Sequence, residues 1–114
     1  MSWALYHSQS EHYASLAEEA VQQDENDRAL DLYRLAAEAE GSALEILDPA
    51  KTRTLGITVV SAVSLWFKAQ EFRQAERLAY QWLMTDLLPS FAVQQLQDLL
   101  LTIWEKTASI QQRA

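Results

Sequence analysis

Apolar side chains recur at three- and four-residue intervals along most of this chain, interrupted by short polar or turn-forming segments. That spacing is the signature of helices with one buried face. Tyr13, Leu16, Ala17, Ala20 and Val21 make the first stripe and predict a helix from about Ser8 or Ser10 to Gln23, with Ser8 and Glu11 at capping-box spacing. After the break Asp24-Glu25-Asn26-Asp27, the stripe Ala29, Leu32, Tyr33, Ala36 and Ala37 predicts a second helix beginning near Asn26 or Asp27. Leu44 and Leu47 extend it past Gly41; a break there is the alternative, since glycine costs about 1 kcal/mol inside a helix. Asp48-Pro49 ends this helix and opens a third over about 49–70, with Asp48 as N-cap and Pro49 in the first turn.

The third segment is apolar nearly all round: Leu55, Ile57, Val59, Val60, Ala62, Val63, Leu65, Trp66 and Phe67. A helix of this kind has to be packed from several directions. A buried strand is the rival for so many β-branched residues, but no other segment offers a strand to pair with it. A fourth helix over about 72–85 turns Ala75, Leu78, Ala79, Trp82 and Leu83 inward. A fifth, over about 90–111 after the turn Leu88-Pro89-Ser90, carries Ala92, Leu96, Leu99, Leu100, Ile103 and Ile110 along one side, widened by Val93, Leu101 and Trp104. The fold class is therefore all-α, about five antiparallel helices in one domain spanning residues 1–114.

Composition supports long helices joined by short turns: two glycines, two prolines and 49% apolar residues in 114. With no cysteine, disulfides and thiolate metal sites are excluded. The N-terminus lacks a basic start and a long apolar core, so no signal peptide is expected. The longest apolar stretch, Leu55 to Phe67, falls short of the roughly 20 residues a spanning helix needs, and a cytoplasmic location is the expectation. Charge is uneven. Residues 1–50 carry eleven acidic residues and two arginines, net −9, and residues 51–114 carry five acidic and seven basic residues, net +2. An acidic chain without a basic stripe is a poor ligand for nucleic acid or an anionic membrane. If the charge serves recognition, it favours a basic protein partner; otherwise it is a solvated surface.

The segment Tyr13-x2-Leu16-Ala17-x2-Ala20, followed by Ala29-x3-Tyr33-x2-Ala36, resembles the tetratricopeptide repeat. Ala17 and Ala29 place two small residues where paired helices cross closely, with Ala17 at the family's glycine position and Tyr13 where it often has tryptophan. Val59-x2-Ala62-Val63-x2-Trp66 and Ala75-x3-Ala79-x2-Trp82 echo the pattern with large and small residues exchanged; any antiparallel hairpin could produce this weaker match. Ala29 and Ala75 lie 46 residues apart, against about 34 in the family, so the resemblance implies two hairpins with lengthened helices and a fifth, capping helix. Residues 8–70, through Ala14-x2-Ala17-x2-Ala20-Val21-x2-Asp24 and Arg28-Ala29-Leu30-x2-Tyr33-x2-Ala36, are also similar to the microtubule-interacting-and-trafficking domain, a three-helix module that binds helical tails.

The repeat resemblance implies a non-catalytic adaptor or assembly factor. Its groove would be lined by Glu11, Ala14, Glu18 and Val21 from the first helix and by Ile57, Val60, Ser64 and Phe67 from the third. An amphipathic segment would set its apolar face on Val60 and Phe67 and its basic residues near Glu11 and Glu18. The alternative is that the fifth helix or the N-terminal residues fill this groove. Lys68 alone at its edge argues against gripping a C-terminal carboxylate. Trp3, Leu5 and Tyr6 are read as an arm docked on the core or a partner-binding hook. Leu101 and Trp104 could form a homodimer patch, and a permanent subunit of a larger complex is a third reading. No catalytic residue, metal ligand or cofactor is assigned. His7 and His12 do not share a helix face, the carboxylate pairs are consecutive, and isolated Gly41 and Gly56 cannot form a phosphate loop.

Overall fold

The computed structural model describes residues 2–113, with side chains through residue 110. Within them the chain forms five helices and no strand: α1 Trp3–Gln22, α2 Asn26–Ile46, α3 Thr52–Lys68, α4 Phe72–Leu83 and α5 Ser90–Arg113. The first starts earlier than its apolar stripe suggests. Ser2, not Ser8, is its N-cap, and the Ser2 hydroxyl accepts a hydrogen bond from the Leu5 amide at 3.2 Å. The N-terminal residues are thus the first turn of α1. Trp3 packs on the core and donates from Nε1 to Thr58 Oγ1 of α3 at 3.2 Å, while Leu5 is exposed. Gly41 lies inside an unbroken α2. The third helix begins later than expected. Asp48 does not cap it but closes a separate turn, accepting from the Ala50 amide at 3.0 Å, with Lys51 N–H bonded to the Asp48 carbonyl. α2 ends at its C-cap Leu47, whose backbone is extended, and the chain restarts as α3 at Thr52.

α1 and α2 are antiparallel and close. Ser10 Oγ donates to the Ala36 carbonyl at 2.9 Å, and the buried alanines Ala17, Ala20, Ala29, Ala36 and Ala37 let the two backbones approach. Val21 lies off this contact, 48% exposed. α3 runs back along α2, joining Leu65 and Ala69 to this alanine-rich core and Leu55, Val59 and Val63 to a second one. The second core takes Ala75 and Ala79 from α4 and Leu96, Leu100 and Ile103 from α5. Ile110, assigned to the inner side by periodicity, is instead exposed. α3 is therefore the shared helix of the fold, as its all-round apolarity requires.

The turns α1–α2 and α3–α4 are copies of each other. Asp24 and Gln70 adopt left-handed backbone, with φ of 59° and 60°. Glu25 and Glu71 follow at the same dihedrals, φ −91° and ψ 68°. Their amides reach back to the Ala20 and Trp66 carbonyls at 2.9 and 3.0 Å, and the Asp24 and Gln70 amides bond the Val21 and Phe67 carbonyls. This is the Schellman helix end, used twice at equivalent positions 46 residues apart.

The glycines have opposite roles. A Cβ on Gly56 would lie 2.7 Å from Cγ and 2.9 Å from Cδ of the Pro89 ring, so only glycine lets the start of α5 sit on α3. A Cβ on Gly41 would meet nothing within 4 Å. Gly41→Ala should accordingly stabilise the protein by about 0.5–1 kcal/mol. Gly56→Ala should destabilise it by about 1–3 kcal/mol despite the same gain in helix propensity. Urea unfolding of the two variants beside wild type measures both signs.

Candidate functional site

α1 and α3 run parallel to each other along α2, linked by the Trp3–Thr58 hydrogen bond and by the core shared by Ala17, Ala20, Leu65 and Ala69. The sequence-derived positions fall along these two helices. On α1, Glu11, Glu18 and Val21 are exposed, and Ala14 is half-buried against the alanine-rich core. On α3, Ile57 is 45% exposed, whereas Val60, Ser64 and Phe67 are half-buried. Val60 and Phe67 also rest on the core that α5 contributes to. The fifth helix thus flanks the α3 strip. At one end Ile57 shares a depression with Arg53 and Phe91. At the other, Phe67, Lys68 and Phe72 face Lys106 and Ile110 around a hollow of about 430 Å³. Periodicity alone places α5 only as a cap; Phe91 and Lys106 lie off its apolar stripe, and only the parallel run of α5 beside α3 brings them and Ile110 to this face.

Charge along this face is ordered. Tyr33 of α2 is buried, and that burial, with the Glu18 carboxylate second, holds its phenol above the ordinary value. The Lys68 ammonium lies 5.8 Å from the centre of the Tyr33 ring. Acidic α1 and the basic end of α3 therefore meet around Tyr33. Leu101 and Trp104 lie farther along α5, 55% and 43% exposed. The Trp104 indole donates to Glu76 Oε2 of α4 at 2.9 Å, so part of this patch already binds within the chain.

Sequence reading discounted His7 and took no account of Glu40. The structure joins them. Glu40 is completely buried in α2, and His7 Nδ1 lies 2.9 and 3.2 Å from its two carboxylate oxygens. His7 Nε2 contacts Glu11 Oε1 at 2.7 Å, and the Trp3 indole stacks on the imidazole with ring centres 4.7 Å apart. Both ring nitrogens are thus engaged by carboxylates, an arrangement that favours the protonated imidazole. Glu40 stands one turn beyond Ala36 and Ala37 on the inward stripe of α2, a charged residue at an apolar position; that was the available signal. Among the described residues no group of three or more His, Cys, Asp or Glu side chains is arranged to hold a metal ion, and no helix is long and apolar enough to cross a membrane. The chain matches no protein-family model, no curated protein and no solved structure.

Burial lowers the His7 pKa, but the hydrogen bond and charge of Glu40, reinforced by Glu11, outweigh it and leave the value raised above the ordinary 6.5. The pair's contribution to stability is therefore complete below that value and is lost as the pH rises through the folded-state value. Wild type should unfold at higher urea at pH 6 than at pH 8, and the double variant His7→Phe with Glu40→Leu should remove this difference. His7→Phe alone should cost about 3–5 kcal/mol by stranding the Glu40 charge. Adding Glu40→Leu should recover most of that loss, which a double-mutant cycle at pH 6 measures.

Proposed function

We propose that this chain is a tetratricopeptide-like adaptor or assembly factor that performs no chemistry and holds an amphipathic helical segment of a protein partner along α3. The observation that carries this reading is the strip Ile57, Val60, Ser64 and Phe67. It stays partly exposed on a helix that α2, α4 and α5 all pack against. The duplicated turn, 46 residues apart, supports a repeated hairpin rather than a single three-helix trafficking module. The partner segment would set apolar residues at helical spacing on Ile57, Val60 and Phe67. Its basic flank would face Glu11 and Glu18, in keeping with the net −9 of residues 1–50. Exposure of Leu101 favours self-association through α5 as the second reading, and sedimentation of wild type against Leu101→Glu separates the two.

A displayed library of helical peptides, selected on wild type, tests the main reading. Enriched sequences should be amphipathic with lysine or arginine on one flank, and their binding should weaken with salt. Affinity should fall by about tenfold or more on the folded double variant Glu18→Lys with Phe67→Ala, and should fall measurably on Glu18→Lys alone, an exposed change that leaves the core untouched. Binding unchanged in both variants would remove this face from consideration.

A further inference from the structure

α2 and α4 both pack on α3, with at most marginal contact between them. The space between them is held open by Trp66, which belongs to both cores and is only half-buried. In the first hairpin the equivalent residue, one turn before the Schellman turn, is Ala20, which is buried. The exchange of alanine for tryptophan puts an indole on the floor of a cleft of about 370 Å³. A second indole, Trp82, and Leu78 form the α4 wall. Leu44 lies on the α2 wall beside Gly41, whose missing side chain leaves open space. Glu38 and Glu45, two turns apart on α2, stand at the rim, and no lysine, arginine or histidine lines the cleft. Among the described residues neither glutamate forms an ion pair. The nearby Arg34 is taken by Asp31 at 3.2 Å and Glu71 at 3.5 Å.

We infer that this cleft is a second binding site, which receives an arginine side chain of a protein partner. Its guanidinium would lie against the indoles between the Glu38 and Glu45 carboxylates, and its methylene stem would run along Leu44 and Leu78. Two tryptophans line the cleft, and an indole ring attracts a flat, weakly hydrated cation to its electron-rich face. Two carboxylates without internal partners supply acceptors, and apolar walls suit the stem of arginine rather than a small ion. A carboxylate or phosphate would meet only like charge at the rim. The site is independent of the α1–α3 face, since it lies between the other members of the two hairpins and shares none of its residues.

Titration of the isotopically labelled protein with N-acetyl-arginine N-methylamide, followed through the tryptophan indole N–H signals, tests the inference. The Trp66 and Trp82 signals should shift saturably while those of Trp3 and Trp104 stay in place. The uncharged citrulline analogue should bind about tenfold more weakly or not at all. Guanidinium ion alone should also be weaker, because it has no stem; equal binding of the ion would overturn the assignment to a polypeptide side chain. Glu45→Lys, an exposed substitution that spares the fold, should abolish the shifts. Gly41→Leu should do the same by filling the cleft while leaving both carboxylates in place. Shifts of equal size with the citrulline analogue, or binding that survives in folded Glu45→Lys, would overturn the inference.

Discussion

The domain is organised by the need to cover α3. Its central turns carry Leu55, Val59, Ala62, Val63 and Leu65, all buried, and no single neighbour could shield them. α2 takes one flank, α4 another, α5 a third, and Trp3 of α1 reaches across to Thr58. Each contact has a local condition. α4 is returned to α3 by a left-handed residue at Gln70, and α5 lies down on it because Gly56 has no Cβ to strike Pro89. Covering a helix with four others rather than with a closed layer leaves seams. The strip between α1 and α5 and the cleft between α2 and α4 are both such seams, each floored by α3 side chains.

Most of the helices were legible because their apolar spacing is regular and their turns fall at polar or proline-bearing segments. The errors have local causes. Trp3, Leu5 and Tyr6 read as an arm because the first strong stripe begins at Tyr13, yet Ser2 can cap and nothing between it and Tyr13 breaks a helix. Asp48-Pro49 looked like a helix start because aspartate and proline suit N-cap and N1 positions; the aspartate instead folds back on Ala50. Spacing alone puts Ile57, Val60, Ser64 and Phe67 on one side of α3, because residues three and four apart share a helix face. The part played by α5 was not legible, because periodicity shows which side of a helix is apolar and not which neighbour it meets. Nor was the cleft, which needs the separation of α2 from α4.

The alanine-rich α1–α2 contact is smooth. Small residues spaced three and four apart on both helices would pack almost as well after a slide of one turn, so apolar burial fixes the pairing of these helices but hardly their alignment. Glu40 changes that. Its carboxylate is buried with His7 as its partner from α1, and Ser10 adds a hydrogen bond to Ala36. Sliding α1 by a turn in either direction would carry the imidazole away and leave a bare charge in the interior, which costs several kcal/mol. The pair therefore acts as a registration pin. It contributes less by binding the helices together than by penalising every other alignment, and through Trp3 it transmits the chosen alignment to α3.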